Sequence, residues 1–203
     1  MDWRERYERA AARYAAGETR ELDERQLVQL ANSAWAAGLC LLMAGDREAA
    51  ADWLRRSAER YRESWNAGSA TAAWGRPIGA IKALLIAGDD AGDAAQWTLE
   101  TCLGVRHLDT SISPIGRYAG TLALLVLDRN EEAAEVAATL GEGFPCDVAN
   151  ALSALAGRDA ARYRMAVASV RRSFERQEAF LEDVRVCDTA LALDVLAARR
   201  GLG

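Results

Sequence analysis

Apolar residues recur every three or four positions along nearly the whole chain, and Gly-Asp or Pro interrupts the pattern at intervals. Between Asp2 and about Ala15, Trp3, Tyr7, Ala11 and Tyr14 fall on one helical face, and Gly17 ends the run. A second helix is predicted from Asp23 to Ala44 on the stripe Leu27, Leu30, Ala31, Ala34, Gly38, Leu41 and Leu42. Gly45 stops it, because glycine tolerates the left-handed backbone that closes a helix. Asp46 caps the next by accepting from first-turn N–H groups. That third helix puts Ala50, Trp53, Leu54, Ala58, Tyr61 and Trp65 on one side and ends near Gly68.

The second half repeats a phrase. "RPIGAIKALLIAGDDAGDAA" (76–95) and "SPIGRYAGTLALLVLDRNEEAA" (113–134) both run Pro-Ile-Gly, apolar helix, Asp, Ala-Ala. "FPCDVANALSALAGRDAARY" (144–163) opens on the remaining proline. Each Pro is expected at the first helical position, where its missing N–H costs nothing. The predicted helices are Pro77–Gly88, Pro114–Leu127 and Pro145–Gly157, each followed by a second one over Asp90–Leu103, Glu131–Leu140 and Ala160–Phe180. An extended stretch, "EDVRV" (182–186), precedes a last helix from Cys187 to Arg200. The turn residues Asp46, Asp89, Asp128 and Asp159 are 43, 39 and 31 apart. Pairs this short cannot bury their own apolar faces, so neighbours must stack. The expectation is an all-α chain of about ten helices. Antiparallel helix-pair repeats stack as a short tetratricopeptide-like α-solenoid in a single domain, 1–203. The pairs lie near 23–67, 77–103, 114–140 and 145–180, with helices 2–15 and 187–200 as caps.

Composition supports helix: 51% of the 203 residues are hydrophobic and only three are Pro. The formal charge is -5, with acidic and basic residues interspersed. This is not the one-sided basic footprint of a nucleic-acid binder. Lys82 is the only lysine beside many arginines, which reads as coding bias before function. The opening "MDWRERYERA" holds no signal-like apolar core, and the longest apolar run, "AWAAGLCLLMAG", is about half a bilayer span. Cys40, Cys102, Cys146 and Cys187 are widely spaced and read as reduced, mostly buried thiols. A cytoplasmic protein without membrane or nucleic-acid partners is expected.

Two resemblances add to this. "AAGLCLLMAGDREAAADWLRRSAERY" (36–61) resembles one tetratricopeptide repeat. Gly38 matches the close-contact position, Leu42 follows it, Gly45-Asp46 form the turn, and Ala50 and Leu54 match the small and large packing positions. Residues 151–202 are similar to the end of the immunity protein 49 family of polymorphic-toxin systems. The matching parts are a short helix (Ala151–Ala156), a Gly-Asp turn (Gly157–Asp159), a long charged helix (Arg162–Phe180), a loop (Glu182–Val186) and a final apolar helix (Asp188–Leu202). This resemblance covers about a quarter of the chain and implies a protein that binds and blocks a toxin.

The search for chemistry assigns no catalytic, cofactor or metal residue. His107 is the only histidine and sits in the polar stretch "GVRHLDT" without an evident partner. Cys102 lies five residues before it, a poor spacing for shared metal ligation. "GEGF" (141–144) lacks the lysine of a phosphate loop, and no Gly-x-Ser-x-Gly elbow or Glu-x-x-His pair occurs. Asp89-Asp90 and Glu131-Glu132 sit at helix starts, where the dipole favours them.

Trp35, Trp53 and Trp97 read as core wedges. Trp65 and Trp74 flank the linker "NAGSATAA", either as anchors for a partner or folded back over the junction. Lys82 and Asn150 both lie five residues after a proline, and Arg117 three after Pro114, which places them on a groove face or an ordinary solvated stripe. The Arg164–Glu182 stretch alternates charges, with Arg171 set to pair with Glu175 and Glu178.

The leading expectation is a non-enzymatic protein-binding module that uses Trp65, Trp74, Lys82, Arg117 and Asn150, with a toxin domain as the partner the resemblance implies. The alternatives are a self-associating structural subunit, and an all-helical enzyme or ligand-binding protein with an unannounced pocket. Oligomeric state is left open.

Overall fold

Ten α-helices form among the described residues of the computed structural model, and no strand does; it describes residues 2–18, 22–68, 73–104, 112–141 and 143–203. In chain order they are α1 (Trp3–Gly17), α2 (Glu24–Met43), α3 (Arg47–Asn66), α4 (Gly75–Ala87), α5 (Gly92–Trp97), α6 (Pro114–Val126), α7 (Asn130–Ala138), α8 (Cys146–Ala156), α9 (Ala160–Glu175) and α10 (Asp188–Arg199). Short polar side chains set the starts. Asp2, Asp46, Ser113 and Asp159 each accept from first-turn N–H groups of the helix they precede. Asp23 and Gln26 form a reciprocal capping box at 2.8 and 2.9 Å.

The ends are more uniform than the starts. At α2, Gly45 N–H donates to the Leu42 carbonyl and Asp46 N–H to that of Leu41. The same nested pair closes α4 (Gly88 to Leu85, Asp89 to Leu84), α6 (Asp128 to Leu125, Arg129 to Leu124) and α8 (Arg158 to Leu155, Asp159 to Ala154). It closes α10 as well (Gly201 to Ala198, Leu202 to Ala197). The first residue of each pair has positive φ: Gly45 88°, Gly88 87°, Asp128 57°, Arg158 52° and Gly201 70°. Asp128 therefore occupies the left-handed position, and the residue equivalent to Asp46, Asp89 and Asp159 is Arg129.

The helices gather into two compact units. The first comprises Met1–Asp89 with Glu178–Val186; in it α1 packs on α2, α2 on α3 and α3 on α4. Its core holds Leu39, Leu54, Ile81 and Leu85, all fully buried. The crossings are close: a Cβ on Gly38 would lie 2.7 Å from Leu54 Cγ, and one on Gly79 2.5 Å from the Tyr61 ring. Ser57 hydroxyl donates to the Ala31 carbonyl at 2.9 Å, satisfying a buried polar group between α3 and α2. By length and composition α2 could cross a membrane (mean hydropathy 1.2); two-thirds of it is buried inside the unit, as in the core helix of a globular protein.

The second unit comprises Asp90–Gln177 with Cys187–Gly203. Here α5 to α9 pack each on the next, and α10 packs on α9 and α8. Leu122, Leu125, Leu152, Leu155, Leu193 and Leu196 fill the core. Arg200 ties the chain end down: its side chain is 5% exposed, and its guanidinium donates to the Leu125 and Leu196 carbonyls beside Asp128.

Several expected boundaries move. α4 starts at Gly75, so Pro77 is its third residue, still inside the first turn where no N–H is needed; Pro145 precedes α8 instead of opening it, and Pro114 opens α6 as expected. The helix expected over Asp90–Leu103 is α5 followed by a π-helical turn, Thr98–Leu103, where the Thr98 hydroxyl donates back to the Ala94 carbonyl. α9 stops at Glu175, not Phe180, because the chain beyond it packs into the first unit through buried Val184 and Val186. "EDVRV" is not wholly extended: Leu181–Asp183 forms a 3-10 turn against α2, with Glu182 and Asp183 at φ 52° and 57°.

Trp35 and Trp97 are core residues as expected, whereas Trp53 is half-buried and meets the edges of Tyr7 and Tyr14. Of the four cysteines only Cys40 is buried; Cys102 and Cys187 are half-buried and Cys146 is exposed. Arg171 binds Asp194 of α10, which also accepts from Tyr163 at 2.8 Å, so the local pairs expected for Arg171 are replaced by a tie between helices.

Candidate functional site

The five residues expected to bind a partner divide between the units. In the first, Trp65 ends α3 and Trp74 precedes α4. Their rings stack at 5.9 Å with a 35° tilt, each half-buried. The Trp74 indole N–H is buried with no acceptor among the described residues. The two rings thus pack on each other across the junction; residues 69–72 between them lie outside the described residues, as does His107. Lys82 is half-buried on α4 between buried Ile81 and Ala83.

In the second unit, Arg117 does not reach outward. Its guanidinium donates to the Thr139 carbonyl at the end of α7, where a cation offsets the negative end of the helix dipole. The bond ties α6 to the end of α7. Asn150 alone of the five is exposed, and it lines a groove between α8 and α9.

The groove holds about 420 Å³. Cys146 and Asn150, one turn apart on α8, form one wall; Arg162, Met165, Ser169 and Arg172 form the other. The latter are spaced by three, four and three residues, which aligns them on a single face of α9. The opposite face of α9, with Tyr163, Val167 and Val170, is buried. Met165 is 75% exposed, the most exposed large hydrophobic residue among the described residues. α9 carries four arginines against one glutamate, so the rim is basic on a protein of net charge -5. Asp147 lies in the first turn of α8, buried at the groove edge, and its carboxylate accepts from Val148 N–H at 2.9 Å.

These features amount to a flexible, polarisable apolar centre between two guanidiniums, with an amide able to donate and accept. Among the described residues no three His, Cys, Asp or Glu side chains cluster as metal ligands. Arg162, Met165 and Arg172 had not been singled out from the sequence. Their spacing was the available signal, and the alternating charges around them obscured it. No family model, curated protein or solved structure matches the chain.

Proposed function

We propose that this chain is a non-enzymatic protein-binding module built from degenerate tetratricopeptide-like helix pairs, and that the α8–α9 groove is its contact surface. The observation that carries the reading is Met165, exposed at the centre of the stripe Arg162–Met165–Ser169–Arg172 and facing Asn150. An apolar anchor ringed by polar groups is the usual anatomy of an interface core and rim. The identical termination of α2, α4, α6, α8 and α10 supports the repeat reading, since one closing device recurs at alternate helices. The partner is an acidic protein surface. The similarity of residues 151–202 to the immunity protein 49 family makes a toxin domain the first partner to try, because α9, α10 and the second half of α8 lie within that stretch.

The test is binding of candidate toxin domains, measured by calorimetry and by rescue of growth on co-expression. The variant Met165→Ala with Arg162→Ala and Arg172→Ala is expected to weaken binding at least about tenfold, and the parent's affinity is expected to fall with added salt. Helical melting of the variant should match the parent, because all three side chains face solvent. Undiminished binding by the variant, or a chain that binds only itself, would sink the proposal. Arg117 is a poor choice for such a test, since removing it also releases the end of α7.

A further inference from the structure

The first unit contains a second recess, lined by cations. Arg6, Arg9 and Arg13 stand at i, i+3 and i+7 on α1, which places three guanidiniums on one face. The segment Glu178–Val186 forms the facing wall and adds Arg185, whose guanidinium lies 4.9 Å from the centre of the Phe180 ring. Buried Val184 and Val186 pin that wall in place. The recess encloses about 240 Å³, below the ~300–1,000 Å³ of sites for drug-sized ligands, so its occupant must be compact.

Oxygen atoms already occupy two of these cations. Arg13 holds the Glu182 carboxylate at 2.7 Å, and Arg6 donates to the Asp183 carbonyl. Both acceptors belong to a turn whose φ values, 52° and 57°, L side chains rarely adopt. Among the described residues, the other two guanidiniums form no ion pair within the recess. Arg9 meets Glu5 only at 3.8 Å on the open surface, and Arg185 rests on a ring. The charges also act inward: burial pushes the Cys40 thiol of α2 up, and Arg6, Arg13 and Arg9 all oppose that push.

The geometry points to a binding site for a compact phosphate-type dianion, gripped by Arg9 and Arg185 and completed by Arg13 as the ligand displaces Glu182. Guanidinium forks match the spacing of phosphate oxygens, and several converging forks suit a dianion better than a lone carboxylate. Glu178, Glu182 and Asp183 also line the recess, and the Glu182 carboxylate on Arg13 is the internal anion that a stronger one must displace. The inference concerns the first unit and is independent of the α8–α9 groove.

The test titrates the full chain with inorganic phosphate and with AMP, following heat of binding and thermal midpoint against sodium chloride of equal ionic strength. Saturable binding in the millimolar range or tighter is expected. The double variant Arg9→Gln with Arg185→Gln removes cations without breaking the ties to Glu182 or Asp183, and should weaken binding at least about tenfold. Glu182→Gln frees Arg13 and removes a repelling charge, and should tighten binding several-fold even though it loses an ion pair. Equal affinity for phosphate and AMP identifies the free ion as ligand; tighter AMP binding identifies the phosphate terminus of a larger molecule. A midpoint shift reproduced by chloride, binding unchanged in the double variant, or weaker binding in Glu182→Gln would each overturn the site.

Discussion

Gly38→Ala isolates one crossing of the first unit. The added methyl would sit 2.7 Å from Leu54 Cγ, 3.0 Å from its Cδ2 and 3.1 Å from the Ala50 carbonyl oxygen. Carbon atoms in contact prefer ~3.5–4.0 Å, so something must move. Leu54 is fully buried and the Ala50 oxygen is backbone, which leaves a spreading of α2 from α3. Overpacking of this kind costs about 1–3 kcal/mol, while alanine gains ~0.8–1.0 kcal/mol of helix propensity over glycine. The net expectation is a loss of about 1 kcal/mol, or ~2–4 °C in thermal midpoint for a chain of this size. Gly38→Leu keeps most of the propensity gain but adds three more buried carbons, and should lose about 3 kcal/mol. Circular dichroism melts and urea titrations measure both. Gly75→Ala is the control: apart from its chain neighbours and its own helix backbone, no atom of the described residues lies within 4 Å of its new Cβ, so it should melt at or slightly above the parent. In a Leu54→Ala background, Gly38→Ala should become neutral or stabilising, because the truncated side chain makes room. A Gly38→Ala variant that melts at or above the parent would show that propensity acts there without collision, and the close crossing would be refuted.

Arg200→Ala should destabilise the second unit by about 1.5–3 kcal/mol, since the nearly buried guanidinium donates to two helix-terminal carbonyls; a denaturant midpoint checks it. Tyr163→Phe should cost about 1 kcal/mol by removing the buried phenol's hydrogen bond to Asp194 while leaving Arg171 in place, as read by the same titration. Hydrogen bonds from Arg55 hold the Asp89 carboxyl below its ordinary 3.8, against a smaller upward push from burial. The stability it contributes is complete above pH 3.8 and is lost as pH falls through the lowered value; Asp89→Asn should flatten the stability profile below about pH 4, checked by melts across pH 2–6.

Features governed by local chemistry were readable in the chain. Asp46 and Asp159 cap the helices they precede because a short carboxylate reaches first-turn N–H groups wherever it stands. The slip at Asp128 has a local cause too: aspartate tolerates the left-handed position almost as asparagine does, so an Asp in the right place took the role that belongs to Arg129. The misread features depend on distant residues. Arg117 looked like a free cation on a polar face because its acceptor, the Thr139 carbonyl, lies on another helix. Arg171 found Asp194 in place of its own helix's glutamates. The end of α9 depends on where Val184 and Val186 become buried, which no pattern within α9 encodes. The α8–α9 groove was half legible: Asn150 by its place after a proline, the facing stripe by a spacing that charge alternation hid.

The placement of Glu178–Val186 in the first unit, between flanking residues that belong to the second, bears on how the protein is made. Residues up to Asp89 leave the ribosome long before the segment that completes their packing. At ~5–20 residues per second, a chain made as far as Asp89 waits roughly 5–20 s for Val184 and Val186. Through that interval the apolar surface those valines will cover is open to solvent, to chaperones and to other nascent chains. A gene cut between Asp89 and Asp90 makes the interval permanent. The N-terminal product lacks one wall of its own packing, and the C-terminal product carries an apolar strap with nothing to bind. Added in trans, a peptide spanning residues 178–186 is the missing part of the first product.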